Sequence, residues 1–166
     1  MKTKILLTLF TLLSIPAHAE ENSIISIQDS CGYCGRRNNY QDNCDIDPNG
    51  KVTIERSKTR DFISSSTTKT FQLNATDLAQ IKTLIESSKN AEVVGKAKTY
   101  CGDASTFSIS ALTANNQDLT LELYSEGKEI LDSADARKLS RLSAKICGMQ
   151  KRRLLWKNVL SKKKQF

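Results

Sequence analysis

The 166-residue chain is poor in the side chains from which most catalytic and metal sites are built: it has one histidine, His18, two prolines and one tryptophan. His18 falls in a segment that reads as a removable leader, so the mature chain is expected to carry no imidazole at all. That excludes Ser-His-Asp and Cys-His nucleophile activation and the common histidine zinc sites, which all need a group titrating near neutrality. The seven glycines form neither a phosphate loop nor a dinucleotide fingerprint. The acidic residues are scattered singly, a pattern that argues against a paired-carboxylate glycosidase site. No apolar run reaches the roughly 18 residues that a membrane-spanning helix requires.

What is present begins with that leader. Lys2 and Lys4 precede an apolar run from Ile5 to Ile15, and Ala17-His18-Ala19 supplies the small-residue cleavage signature of a secretory signal peptide. Residues 1–19 are therefore expected to be removed. The working protein would be exported to the bacterial periplasm or the medium, with no membrane span. No cysteine follows the cleavage point, so no lipid-modified N-terminus is expected either. Subtracting 19 residues from 166 leaves 147, enough for one domain burying roughly two thirds of its unfolded surface. We assign residues 20–148 to that domain and 149–166 to a tail.

The charge sits in the tail. Met149 to Phe166 contains seven Lys or Arg and no acid, whereas residues 20–148 contain 16 basic against 18 acidic side chains. The basic balance thus points to a local contact, and not to a chain that coats nucleic acid. Within the tail, Leu155 pairs with Val159 and Trp156 with Leu160 at helical i, i+4 spacing. The resulting short stripe is flanked by Arg152, Arg153 and Lys157. Such a segment is either a docked C-terminal helix or an element for an anionic surface, with Trp156 at the interface and the cations near phosphates. It lacks the series of aromatic rings on which nucleic-acid bases stack, so no nucleic acid is expected as partner.

Five cysteines, Cys31, Cys34, Cys44, Cys101 and Cys147, all lie in the mature part. An oxidising compartment favours pairing them, with one left over. Leaving out each in turn gives about fifteen arrangements. We expect Cys101 and Cys147 to pair with each other or with the N-terminal cluster. Cys31-Gly32-Tyr33-Cys34 looks like the active-site motif of thioredoxin-class periplasmic disulfide isomerases. That chemistry requires the first thiolate at a helix N-terminus. Gly35-Arg36-Arg37-Asn38-Asn39-Tyr40 is a poor helix start, so the cysteines read first as structural and a thiol-disulfide redox role second.

Alternation marks strands at Ile25/Ile27, Val52/Ile54, Phe107/Ile109/Ala111 and Leu119/Leu121/Leu123. Asn74 caps a helix carrying Leu78, Ile81, Leu84 and Ile85 on one side, and Ser133 caps another with Leu139, Leu142 and Ile146. Residues 35–50 are polar and read as a loop closing on the Asp47-Pro48-Asn49-Gly50 turn, and Ser64 to Thr70 as an exposed connection. The expected fold is α+β: a single disulfide-stapled domain with a four-stranded, mainly antiparallel sheet, two helices on one face in the order ββαββα, and a basic C-terminal helical tail. The Asp45 to Val52 segment is similar to an EF-hand or dockerin calcium loop through Asp45, Asp47 and Asn49. Arg56 stands where the closing acid should be, so the leading expectation there is a plain turn, with neither cofactor nor metal.

A strand running into glycine and cysteine, a second strand after the Asp-Pro-Asn-Gly turn, a capped helix, a hairpin and a final helix give a layout that resembles the small ββαββα proteins that include the protealysin inhibitor emfourin. The resemblance spans about residues 23–147 and implies an exported protein that binds another protein, such as a secreted hydrolase or toxin. The expected function is therefore a non-enzymatic binding module of inhibitor or immunity-like action. Tyr33, Arg36, Arg37 and Tyr40 would supply the aromatic and arginine anchors typical of interfaces. The alternatives are the redox role and envelope-surface binding through the tail. Mass spectrometry of the exported protein is expected to find Glu20 as the first residue, and Ala19→Arg to leave the leader attached; an exported chain retaining Met1 would refute the export reading.

Overall fold

The computed structural model of the protein describes residues 23–31, 38–61, 63–95, 105–125, 128–151 and 153–154. In chain order they form β1 (Ile25–Cys31), β2 (Asn38–Ile46), β3 (Lys51–Arg60), β4 (Ile63–Gln72), α1 (Ala75–Ser88), β5 (Glu92–Val94), β6 (Thr106–Leu112), β7 (Asp118–Tyr124), β8 (Lys128–Asp132) and α2 (Ala134–Ile146). The strands make one sheet in the order β4-β3-β2-β1-β6-β7-β8-β5, antiparallel at every pairing. This corrects the four-stranded expectation. The sheet has eight strands, because the segment read as a polar loop at 35–50 contains β2, the one at 64–70 is the middle of β4, and β5 and β8 are too short to register by alternation.

Strand register explains why four strands announced themselves and the others did not. Cross-strand rows on the buried face run Phe71-Val52-Ile46-Ile25-Ala111-Leu119, then Ile54-Cys44-Ile27-Ile109-Glu122, then Arg56-Asp42-Asp29-Phe107-Tyr124. The first row is apolar throughout. Polar members appear in the second row at Glu122 and in the third at Arg56, Asp42 and Asp29, as the rows approach the end of the sheet that we call distal, where β1 finishes and the β3–β4 hairpin turns. Strand β2 therefore buries Ile46, Cys44 and Asp42, a true period of two whose members are not all hydrophobic. Along β4 every described residue except Phe71 is exposed. Its Ser and Thr run has no buried face to betray it.

Both helices cover the same face. Ile81, Leu84 and Ile85 of α1 and Ala136, Leu139 and Ala144 of α2 join Ile25, Ile27, Phe107 and Ile109 in one core cluster. The Asn74 side chain accepts the Asp77 amide at 2.8 Å and donates back to its carboxylate at 2.8 Å, a reciprocal cap on α1. Leu73 and Leu78 close over Gly50, whose φ of +84° completes the β2–β3 turn. Ser133 Oγ accepts the Ala136 amide at 2.9 Å to start α2. That helix stops in a Schellman turn: Gly148 at φ +68° lets Met149 N–H reach the Ala144 carbonyl at 2.8 Å. Residues 150–151 and 153–154 are again helical.

Cys147, at the end of α2, is bonded to Cys44 in β2, as expected for a pairing with the N-terminal cluster. Both sulfurs are buried, and the bond spans 103 residues of chain. Closing so long a loop in the unfolded state stabilises the fold by about 4–5 kcal/mol in the chain-entropy picture, with measured values usually lower. Cys147→Ser is expected to lower the urea-unfolding free energy by about 2–5 kcal/mol, and an unchanged midpoint would show that the bond contributes nothing.

Candidate binding surface

From β4 across to β6, the face of the sheet away from the helices carries mostly hydroxyl and amide side chains, with Lys51 and Leu112 at its near end and Leu123 beyond it on β7. Thr70, Thr68, Ser66 and Ser64 on β4 lie beside Thr53, Glu55, Ser57 and Thr59 on β3, followed by Asp45, Asn43, Gln41 and Asn39 on β2. Ser26, Gln28 and Ser30 on β1 and Ser110, Ser108 and Thr106 on β6 continue the field. None of these residues is buried. Hydroxyls and amides dominate, with Lys51, Glu55 and Asp45 the charged exceptions. Local hydrogen bonds hold parts of the array, including Thr59 Oγ1 to Ser64 Oγ at 3.0 Å and Ser57 Oγ to the Gln41 carbonyl at 3.2 Å.

Behind this face, the distal end is held by buried polar groups that alternation could not reveal. Asp29 and Asp42 are direct cross-strand partners and both are buried. Like charges so placed repel. Tyr40 Oη donates to Asp29 Oδ1 at 3.2 Å, and Arg56 Nε stands 3.6 Å from Asp42 Oδ2. Tyr40 is thus half-buried and tied into the sheet. The other proposed anchors, Tyr33, Arg36 and Arg37, lie outside the described residues, in the connection between β1 and β2.

A second buried set locks the start of the tail. The register shift between Ile109 and Ser110 inserts one extra residue in β7, so that Leu121 and Glu122 are both buried in succession. Alternation on Leu119, Leu121 and Leu123 therefore placed Leu123 on the wrong face. Glu122 Oε1 accepts from Arg153 Nε at 3.1 Å and also from Nη2, while Tyr124 Oη donates to Glu122 Oε2 at 3.2 Å. Arg153 is 5 % exposed, so this member of the proposed membrane-facing set is used inside the domain. Arg152, Trp156 and Lys157 lie outside the described residues.

The remaining sequence candidates fall elsewhere. Cys31 is disulfide-bonded, is buried, accepts from Ser105 Oγ at 2.9 Å, and closes a strand instead of opening a helix. Cys34 and Cys101 lie outside the described residues. Asp47 Oδ1 accepts the amides of Asn49 at 2.8 Å and Lys51 at 2.9 Å, folding the β2–β3 turn around itself. Asp45 belongs to the open face of β2. Among the described residues, no three Asp, Glu, Cys or His side chains converge on a point suited to a metal ion. An open hollow of about 470 Å³ lies where α1 meets the β2–β3 and β6–β7 turns, with Ile24, Pro48, Ile85 and Leu112 in its walls. Glu86 borders it, its carboxyl held below the usual range first by the Ala114 amide it accepts at 3.0 Å and further by Lys89.

No helix among the described residues is long and apolar enough to cross a membrane. No protein-family model matches the chain, and it has no significant match among curated proteins or solved structures.

Burial first, then the neighbouring Glu122 charge and its hydrogen bond, push the Tyr124 hydroxyl well above the ordinary tyrosine value. A raised folded-state value means the contribution to stability is whole below about pH 10, where free tyrosine titrates, and is lost as pH rises beyond it. Tyr124→Phe is expected to remove that alkaline loss. Arg153→Met, which strands Glu122, is expected to cost about 3–5 kcal/mol at neutral pH, and Glu122→Leu combined with Arg153→Leu to recover most of it. Equal stability of the wild type and Arg153→Met in urea would contradict the buried pair.

Proposed function

We propose that the protein is an exported, non-enzymatic protein-binding module. Its binding surface would be the distal part of the open sheet face together with the β1–β2 connection bearing Tyr33, Arg36 and Arg37. The observation that carries this reading is the field of mostly uncharged Ser, Thr, Asn and Gln side chains, interrupted by Glu55 and Asp45, spread over β4, β3, β2, β1 and β6 and mounted on hydrogen-bonded strands. Adaptable hydrogen-bonding groups next to a few aromatic and arginine anchors form the composition that recognition surfaces use. A hydrogen-bonded sheet keeps the entropy cost of association low.

The finer form of the proposal is inhibitor or immunity-like action on a secreted or envelope protein, with the basic tail as an accessory contact. Export is supported by the leader and by the Cys44–Cys147 bond, since disulfides persist chiefly in oxidising compartments.

Tyr40 is a poor choice for testing the surface, because its hydroxyl also steadies buried Asp29. The test is to immobilise the mature chain, capture partners from the exported fraction, and compare a Tyr33→Ala, Arg36→Ala, Arg37→Ala variant. Loss of hot-spot anchors is expected to weaken capture by about thirtyfold or more, while unfolding shifts by no more than about 0.5 kcal/mol per site. Undiminished capture by the triple variant would refute this surface.

A further inference from the structure

The edges of the sheet differ sharply. One is β5, three residues long; the other is β4, ten residues from Ile63 to Gln72, with no proline, no bulge and a single charge, Lys69. Natural proteins usually shorten, charge or cover such an edge, because its outward amides and carbonyls are a template for another strand. Ile63 is 76 % exposed, the most exposed large apolar side chain among the described residues.

Which backbone groups face outward follows from the hairpin. Arg60 pairs with Ile63 across a two-residue turn in which Asp61 has φ +48°. The residues flanking such a turn exchange hydrogen bonds, and the bonded pairs recur every second residue. Ile63, Ser65, Thr67, Lys69 and Phe71 therefore bond to β3, while Ser64, Ser66, Thr68, Thr70 and Gln72 turn their N–H and C=O groups outward. The close Thr59–Ser64 side-chain contact agrees, since non-bonded antiparallel pairs bring side chains nearest.

We propose that β4 pairs antiparallel with β4 of a second copy of this chain about a twofold axis at Thr67, joining the two sheets into one. The twofold symmetry and the alternation permit only registers centred on a residue. The one centred on Thr67 sets Ser66 against Thr68 and Ser64 against Thr70 as bonded pairs, so four of the five outward residues are satisfied and only Gln72, at the end of the strand, is left over. On the helix side it lays exposed Ile63 over the partner's Phe71, which already stacks under Lys69 Nζ at 5.5 Å. It also sets each Lys69 against Ser65 of the other copy, keeping the two cations apart. Moving the axis one residue to Thr68 sets Ser65 on Phe71 and Lys69 on Thr67, leaving Ile63 beyond the last paired residue of the strand. Centring on Ser66 faces Ile63 with Lys69. The Thr67 register alone among these buries the exposed isoleucine against an apolar neighbour. This pairing uses the edge, not the open face, and stands whether or not that face binds another protein.

The test is sedimentation equilibrium of the mature chain across a concentration series. The wild type is expected to reach twice the monomer mass. Ser66→Pro deletes an outward amide without touching the bonds to β3 and is expected to stay at the monomer mass with unchanged circular dichroism. Thr67→Lys and Thr67→Glu each place like charges opposite one another at the axis and are expected to weaken the dimer several-fold, and an equimolar mixture of the two to restore it. A wild type that remains monomeric at the highest soluble concentration, or a dimer equally strong in both single-charge variants, overturns the proposal.

Discussion

Two helices cannot cover eight strands. Strands spaced about 4.8 Å apart make this sheet roughly 34 Å wide, whereas two packed helices of about 10 Å diameter shield about 20 Å of it. The consequence runs through the whole molecule. The shielded zone is centred on β1 and β6, the middle strands, and holds the apolar rows through Ile25, Ile27, Ile109 and Ala111. Outside it, strands must be wet on both faces, as the hairpin end of β3 and nearly all of β4 are. The uncovered strands are held by backbone pairing to their neighbours, by β-branched threonines and by side-chain hydrogen bonds, none of which needs apolar burial.

That division decides what can be read from the amino-acid sequence. The helices were legible because their signals are local: Asn74 with Asp77, and Ser133 with the amide of Ala136, act within one turn. Strands β1, β3, β6 and β7 were legible where apolar residues alternate under the helices. β2 escaped because its inward positions include Asp42, whose neighbours Asp29 and Arg56 come from other strands. β4 escaped because all of its residues but Phe71 are exposed, so no apolar period marks it. The open polar field, the feature of the candidate surface with the greatest extent, was invisible for the same reason: only the register brings residues from five strands onto one face. Tyr40 has the residue type of an interface anchor, and its partial burial against Asp29 depends on a pairing between positions eleven apart that no local pattern contains.

The bulge in β7 shows how one extra residue alters chemistry as well as shape. Without it, a strict period of two from Leu119 and Leu121 would put Leu123 inside and Glu122 in solvent. With it, Glu122 enters the second buried row beside Ile109, and a buried carboxylate requires compensation. Arg153 and Tyr124 supply it. The arginine comes from beyond the Schellman turn at Gly148, so the bulge in one strand fixes where the chain must go after α2. The Cys44–Cys147 bond acts at the same junction from the other side of the sheet centre. A hydrophobic replacement of the ion pair would stabilise the fold about as well, and what the charged version adds is direction, since only a hydrogen-bonding partner at residue 153 satisfies it.

Unequal edges also determine what kind of assembly this sheet permits. If β4 of one copy met β5 of the next, the contact would be heterologous and would repeat without end, the route to filaments. Three features oppose it. β5 offers three residues against ten. Gly95, directly after it, has φ +89°, outside the range of an extended strand, so β5 ends at Val94. Val93 and Val94 would find apolar side chains on β4 only at its two ends, Ile63 and Phe71. A strand that meets only its own copy closes after one step, since both exposed edges are consumed together. An uncovered Ser and Thr strand is thus compatible with solubility in a domain whose own charge nearly cancels, where electrostatic repulsion does little to keep copies apart.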